Sequence, residues 1–284
     1  MEADRVQKPL RQLRKALKRL PKDPAPETVH KLRTRARHVE AIAAALSEPD
    51  EKKARRLLKS IKPVRKAAGD VRDMDVLSGN ALSLPQNSHR ESQQDAFRAS
   101  LTRLVGLLGI ARKKSAGELF NAVDDQRKAA RRVLKQYAKL AQTALGRKNS
   151  SSSGAAPSPS EQHIQTVIAN LNGELRRWPA LSARNIHPFR LKVKELRYIL
   201  QLLPNADSGL IDALGSVKDQ IGDWHDWQQL AETAEQMLGP SEDRALLAEI
   251  DRIGRQKLRH ALASANALRK RHLESSPARR RKTR

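Results

Sequence analysis

We expect an all-α protein, because composition, apolar spacing and breaker residues agree on helices. The strong helix formers Ala, Leu, Arg, Lys, Glu and Gln are abundant, whereas only 3 Phe, 3 Trp and 2 Tyr occur among the 284 residues. Apolar residues recur at steps of three and four, which is the helical period. Segments rich in proline, glycine and serine separate the periodic stretches.

Three helices are predicted at the start of the chain. The first covers residues 5–20, where four leucines recur at helical spacing, and a proline-rich segment ends it. The second covers about 27–46 and is followed by Pro49. The third covers about 51–84, and we expect Pro63 and Gly69 to kink or break it.

Two further helices are expected after a polar loop at residues 85–92. They cover about 93–112 and 117–145, and Lys113, Lys114 and Ser115 form their connector. Residues 147–160, RKNSSSSGAAPSPS, are a Ser/Gly/Pro linker with no means of packing. Residues 1–146 are therefore predicted to be the first half of the molecule.

The second half is predicted over residues 161–272. It contains helices near 161–177, 187–203, 208–238 and 243–272. The final residues, 273–284, are expected to be a disordered basic tail.

The charge balance indicates a polyanionic partner. The chain has 56 Lys and Arg against 31 Asp and Glu, so its net charge is +25. The absence of cysteine excludes disulfides, thiol nucleophiles and cysteine-based zinc sites, and it suits a cytoplasmic protein. The sequence offers no signal peptide and no apolar stretch long enough to cross a membrane.

An internal repeat connects the two sides of the linker. At an offset of 157 residues His30 aligns with His187, Arg33 with Arg190, and Arg37 with Lys194. The same offset aligns two apolar seams with steps of four and three. These are Leu32, Ala36, Val39, Ala43 and Leu46 in the first half, and Phe189, Val193, Leu196, Leu200 and Leu203 in the second. The cations lie on a neighbouring helix face, about 130° from the seam.

A second block repeats at an offset of 153 residues. Residues 61–73 align with residues 214–226, so that Arg65 corresponds to Lys218 and Arg72 to His225. Core periodicity explains matching apolar positions, but it does not explain matching cations outside the core. Two blocks repeated in the same order therefore indicate a duplicated cationic site.

These residues resemble the CHAD domain (conserved histidine α-helical domain) family. The resemblance is carried by V-H-x-x-R-x-x-x-R at Val29–Arg37, by Gly69–Leu77, and by weaker second copies at His187–Tyr198 and Gly222–Asp226. It covers the chain from about Arg5 to about His272.

The resemblance implies two pseudo-symmetric antiparallel helical bundles around a basic groove or pore that binds inorganic polyphosphate. Some members associate with polyphosphate granules. Other members carry a triphosphatase domain with an E-x-E-x-K motif, which this sequence lacks, so that activity is not implied. Two positions depart from the pattern: Glu40 stands opposite Arg197, and Gln228 replaces the acid matched by Asp75.

Inorganic polyphosphate suits these residue types, because it offers tetrahedral anions without bases or sugars. An arginine fork can hold two phosphate oxygens, and a lysine supplies a compact charge. We therefore expect a non-enzymatic protein that binds this polyanion without a cofactor or metal. The candidate binding residues are His30, Arg33, Arg37, Arg65, Arg72, His187, Arg190, Lys194, Arg197, Lys218 and His225.

The histidines admit other interpretations. His30 and His187 begin helices and could simply be satisfied there by local hydrogen bonds. If they bind phosphate, their charged form is favoured, and binding should tighten as pH falls from about 8 to 6. With His225 they could instead hold a metal, together with Asp73 or Asp226, although those acids are better placed to pair with neighbouring cations.

Nucleic-acid binding is the alternative function. It would explain the charge equally well, because phosphate contacts dominate affinity there too. Against it, aromatic residues are few and do not interleave with the cations, and no DNA- or RNA-binding motif is present. Trp178, Trp224 and Trp227 could stack on bases, but Trp224 aligns with Val71 and is therefore expected in the core. A phosphate-transferring enzyme would need a metal-binding carboxylate cluster, which we cannot assemble.

Overall fold

The structure is a computed structural model, and it describes residues 3–45, 51–85, 91–149, 159–201, 203, 206–239 and 241–273. These residues contain helices and no strand, which confirms the all-α prediction. The helices are α1 (Ala3–Arg19), α2 (Pro26–Ala45), α3 (Glu51–Leu82), α4 (Glu91–Asn149), α5 (Pro159–Arg176), α6 (Ile186–Leu200), α7 (Ser208–Met237) and α8 (Arg244–Leu268), followed by a short π-helical segment at Arg269–Leu273.

The chain divides into two compact units. The first takes α1, α2, α3 and the part of α4 from Leu101 onward, whereas Leu84–Ser100 cluster with the second unit, which also holds α5 to α8. Most of the predicted linker, and the predicted tail from residue 274, lie outside the described residues. Within the linker, α4 continues to Asn149 and α5 begins at Pro159.

The first unit is built on a core of small and aliphatic side chains. The core contains three leucines of α1 and Leu20 just after it, together with the predicted seam of α2, in which Leu32, Ala36, Val39 and Ala43 are all buried. Leu46, the last predicted seam residue, lies outside the described residues. Buried residues from α3 and α4 complete this core. The seam therefore fixes which face of α2 remains for polar residues.

The second unit has its own core, which contains larger side chains. Phe189, Val193, Leu196 and Leu200 of α6 are buried as predicted, and Leu203 packs at the edge of the core. Asp207 caps α7 by accepting a hydrogen bond from the Leu210 backbone N–H at 3.2 Å. The core also contains residues from α5 and α8. It leaves one face of α6 and one face of α7 for the predicted cations.

The expected breaks in the third helix are wrong. Helix α3 runs without interruption through Pro63 and Gly69. Pro63 faces solvent. Proline has no N–H to donate to the carbonyl one helical turn before it, and water can hydrogen-bond to that carbonyl instead. Gly69 is buried and stays helical.

The expected connector at Lys113, Lys114 and Ser115 is also wrong, because α4 is one helix through this segment. Leu104, Leu108, Ala116 and Leu119 keep an apolar row at steps of four and three, and Arg112 occupies the place between them. A charged residue in the row hid its continuity from the sequence pattern.

Arg112 is held there by three oxygen acceptors within the first unit. It donates to Asp75 at 2.7 Å, to Asp23 at 2.9 Å and to the Pro24 carbonyl at 2.7 Å. Burial lowers the pKa of this guanidinium, but the hydrogen bonds to the two carboxylates outweigh burial and raise the pKa above its usual value. The Asp75 side chain is only 4% exposed. Asp75, which belongs to the Gly69–Leu77 segment, therefore links α3 to α4.

Candidate functional site

In the second unit, the candidate site lies where α6 packs against α7. Helix α6 carries His187, Arg190, Lys194 and Arg197, and all four side chains are half-buried. The apolar seam of α6 points into the core and leaves these residues on the neighbouring face, as the helical period requires. Helix α7 contributes Lys218 and His225, which are also half-buried.

Two histidines from different helices meet in this site. The ring centroids of His187 and His225 are 4.3 Å apart, and the ring planes are inclined by 51°. The Nδ1 atom of His187 is buried and has no hydrogen-bond partner among the described residues. The two imidazoles therefore lie close enough that protonation of one opposes protonation of the other.

Burial and neighbouring cations both disfavour the charged imidazoles. Burial lowers the pKa of His187, and the charge of Arg190 lowers it further. Burial also lowers the pKa of His225, as do His187 and Arg190, while Glu232 acts in the opposite direction. An anion bound here would favour the protonated forms.

Two arginines of the site donate to backbone carbonyls of α7. Arg190 Nε donates to the Lys218 carbonyl at 3.0 Å, and Arg197 Nε donates to the Ile211 carbonyl at 3.4 Å. Lys194 Nζ lies 5.8 Å from the centroid of the Tyr198 ring. Lys218 Nζ forms an ion pair with Asp219. The site thus joins the cations predicted on α6 to those predicted on α7.

In the first unit, the corresponding cations gather around a carboxylate. Arg33 and Arg37 of α2, Arg72 of α3 and Asp70 all act electrostatically on Asp73, and each of the three arginines is half-buried. Burial raises the pKa of the Asp73 carboxyl, and the three arginines only partly oppose this effect. Asp73 is therefore a local acid that interacts electrostatically with three of the predicted ligands.

The other two candidates of the first unit stand apart. Arg65 donates from Nε to Glu40 at 2.6 Å, so part of its charge is already balanced by an acid. His30 is exposed at the start of α2. Glu40, the residue that interrupts the predicted cationic row, thus pairs with a cation from α3.

The described residues hold neither a metal-binding cluster nor a membrane-spanning helix. They contain no group of three or more His, Asp or Glu side chains placed to hold a metal ion. Among them, too, no helix combines the length and the apolar character needed for a membrane span.

The tryptophans pack with the protein. Trp224 and Trp227 are each 5% exposed, and Trp178 lies edge-on to Phe189 with ring centroids 5.6 Å apart. The core role predicted for Trp224 is confirmed, and the burial of Trp224 and Trp227 leaves neither ring an open face as a base-stacking platform.

Comparison with protein families agrees with the pattern of helices and cations. The model of the CHAD domain matches residues 4–235. The chain belongs to the CHAD domain family. This match covers most of the chain but ends before His272, where the resemblance was expected to stop. A search of curated proteins and a search of solved structures each gave no significant match.

Some contacts of the candidate site were not predictable from the CHAD domain sequence pattern. The contacts of Arg190 and Arg197 with helix carbonyls were not predicted, nor was the gathering of Arg33, Arg37 and Arg72 around Asp73. One signal was present in the sequence. Arg190 and Arg197 are seven residues apart, and so are Gly215 and Gly222 on the next helix.

Proposed function

We propose that this CHAD domain protein binds inorganic polyphosphate without chemical conversion, through one cationic row in each unit. The observation that carries the proposal is the convergence of cations from two adjacent helices. In the second unit, Arg190 of α6 contacts α7 and lies beside His225, and in the first unit Arg33 and Arg72 lie around one carboxylate. CHAD domains are commonly linked to polyphosphate, which favours this polyanion over others.

The chemistry of each row suits a chain of phosphates. Arginines fixed by the protein can present their remaining N–H groups to phosphate oxygens, and charge-assisted hydrogen bonds of this kind are about twice as strong as neutral ones. The half-buried setting strengthens them further, because the local dielectric is lower than that of water. Repetition of the cations along a helix matches repetition of anions along the ligand.

We further propose that both rows serve one polyphosphate chain, as the repeat and the expected groove suggest. Local packing supports a duplication. Arg33 lies against Gly69 and Arg190 lies against Gly222, and these pairs are related by the two offsets found in the sequence. Removing one cation from each unit should then weaken binding of a long chain more than removing either alone.

Nucleic acid is the competing ligand, and the buried tryptophans argue against it. Single-stranded nucleic acids are usually held by stacking on exposed aromatic rings as well as by phosphate contacts. Here Trp224 and Trp227 are buried, so neither ring can stack on a base.

Competition binding at matched salt tests the ligand. Long-chain polyphosphate, tRNA and heparin would compete for the labelled protein, and polyphosphate should win. The double variant Arg33→Ala/Arg190→Ala should bind polyphosphate about a hundredfold more weakly, since each lost charged contact is worth about 1.5 kcal/mol. Its log–log salt dependence should become shallower by about 1.5.

A matched control uses two arginines outside the proposed rows. Arg35 lies on another face of α2 and Arg184 is exposed before α6, so Arg35→Ala/Arg184→Ala removes the same charge. Equal losses in both double variants would reduce the protein to a generic basic surface. Phosphate release during prolonged incubation would overturn the non-enzymatic part of the proposal. Equal affinity for all three polyanions would overturn the choice of polyphosphate.

The proposed setting is the cytoplasm, at polyphosphate granules. It rests on the absence of cysteine and on the family's association with polyphosphate. Fluorescently tagged protein should co-localise with stained granules, and the Arg33→Ala/Arg190→Ala variant should be diffuse.

A further inference from the structure

Two glycines of α7 lie directly beneath two arginines of α6. A Cβ atom built on Gly222 would stand 2.8 Å from Arg190 Nη2, and one built on Gly215 would stand 3.1 Å from Arg197 Nε. The three atoms nearest to each of these Cβ positions all belong to the guanidinium concerned. Because glycine has no side chain, these two positions leave space for guanidinium groups rather than for an apolar neighbour.

Each arginine also makes the same hydrogen bond relative to its glycine. Arg190 Nε donates to the carbonyl of Lys218, and Arg197 Nε donates to the carbonyl of Ile211. In both cases the acceptor is the residue four before the glycine, whose carbonyl accepts the glycine N–H within a regular helix. A carbonyl oxygen has two lone pairs and can accept both donors. The contact fixes Nε and orients the guanidinium plane against the helix backbone.

We call each of these arginine–glycine contacts a seat. The two seats are equally spaced along α6 and α7, in opposite chain directions. Arg190 and Arg197 are seven residues apart, as are Gly222 and Gly215, and the pairing is antiparallel. Seven residues of α-helix span about 10.5 Å, so the two guanidiniums are held about that far apart. A single small phosphate cannot reach both, whereas an extended polyanion can.

The first unit has a looser counterpart at Gly69 and Arg33. A Cβ on Gly69 would stand 3.7 Å from Arg33 Nε, which is an ordinary contact distance. The position that corresponds to Arg197 is Glu40, which instead binds Arg65. The paired seats are thus a feature of the second unit's described helices.

We infer that Gly215 and Gly222 are positioning residues, which seat Arg197 and Arg190 as a two-point clamp for an extended polyphosphate chain. The inference rests on the proposed function for its ligand, but the seating itself is a property of the free protein. Ordinary close packing of helices would place side chains of any type over these glycines. Here the same donor, the same relative acceptor and the same residue type occur twice.

The test replaces each glycine with alanine. Gly222→Ala and Gly215→Ala should displace the guanidinium above them, and Gly254→Ala is the matched control, because its Cβ would meet no atom within 4 Å. Alanine at Gly254 should stabilise α8 through its higher helix propensity. Calorimetry would compare long-chain polyphosphate with tripolyphosphate. Each seat variant should bind the long chain about tenfold more weakly than the wild type does, with a much smaller loss for tripolyphosphate.

A second measurement needs no ligand. Hydrogen exchange of the arginine Nε–H groups, followed by NMR, should show protection at Arg190 and Arg197 in the wild type. Gly222→Ala should remove the protection at Arg190 alone. Unchanged protection in Gly222→Ala and Gly215→Ala would overturn the inference even if polyphosphate binds. Absence of binding to the wild type, with protection intact, would overturn only the proposed function.

Arg190→Lys and Arg197→Lys cover the case in which a glycine variant fails to fold. Lysine keeps the charge but lacks the Nε donor and the planar fork. These variants should lose long-chain affinity about as much as the glycine variants do, whereas Arg184→Lys should not. Full affinity in both lysine variants would show that charge alone suffices, which contradicts a seated clamp.

Discussion

Binding of polyphosphate should be coupled to proton uptake by His187 and His225. Their rings are 4.3 Å apart beside Arg190, and the pKa of each is held below its usual value, first by burial and then by neighbouring positive charge. Glu232 offsets part of this effect at His225. A bound phosphate chain supplies the missing counter-charge and raises both pKa values. Affinity must therefore increase as pH falls from the pKa of these histidines in the complex towards their lower pKa in the free protein.

The magnitude follows from the number of protons taken up. One proton gives about a tenfold change in affinity per pH unit, which is about 1.4 kcal/mol, and two protons would give about a hundredfold change. A second imidazolium would stand next to the first and next to Arg190, so we expect a slope of about one proton. Because the free pKa values lie below the ordinary value of 6.5, the increase should continue below pH 6.5.

The assay is calorimetry in buffers with different ionisation enthalpies, which reports proton uptake directly. His187→Gln/His225→Gln should flatten the pH dependence, and His260→Gln is the matched control, because His260 is exposed on α8. An affinity independent of pH between 7.5 and 5.5 in the wild type, or an unchanged slope in the double variant, would refute the reasoning.

Stability without ligand should show the opposite trend. For both histidines the folded pKa lies below the unfolded value, so the unfolded chain takes up protons first as pH falls. Their contribution to stability is full above about pH 6.5 and is lost as pH falls through the folded pKa values. Urea unfolding at pH 7.5 and 5.5 should show this loss in the wild type and a smaller one in His187→Gln/His225→Gln. Equal losses in the two proteins would assign the effect to other groups.

Three further predictions concern single residues. Arg112→Met leaves the nearly buried Asp75 without its partner and should lower the free energy of unfolding in urea by about 3 kcal/mol. Adding Asp75→Leu should restore part of this loss. A loss below about 1 kcal/mol would contradict the role assigned to the Arg112–Asp75 pair. Pro63→Ala restores a backbone donor within α3 and should stabilise the first unit by about 1–3 kcal/mol, and a lower urea midpoint would show that Pro63 is needed where it stands. Trp224→Phe should lower stability by about 1–2 kcal/mol but leave polyphosphate affinity within about twofold, and a large loss of affinity would point to a binding role for the ring.

The fold was predictable where apolar residues follow the helical period along the whole element. The seams of α2 and α6 were read correctly, because apolar residues at steps of four and three determine which face is buried. The break expected in α4 was an error with a physical cause. Arg112 fills a place in the apolar row and is stabilised by Asp75 and Asp23, which are distant in sequence. Local pattern reading cannot detect a charge whose partners come from other helices.

The candidate site was predictable to the level of residue type and helix face. Cations repeated at matching positions of both halves, and the structure places those of α6 and α7 together in the second unit. Their partners were not predictable, because backbone carbonyls carry no sequence signature. Whether Arg65 would face a ligand or Glu40 depends on the packing of α2 against α3, which periodicity does not report.

The repeated sequence blocks of the two halves carry different charges. Where the second unit has His225 the first has Arg72, and where the second has Arg197 the first has Glu40. These exchanges lie outside the apolar seams, so they change charge without changing the core. Repeated sequence blocks can therefore differ in their response to pH and in the spacing of their cations while the apolar seams stay buried. The second unit should thus supply both the proton coupling and the two seated arginines.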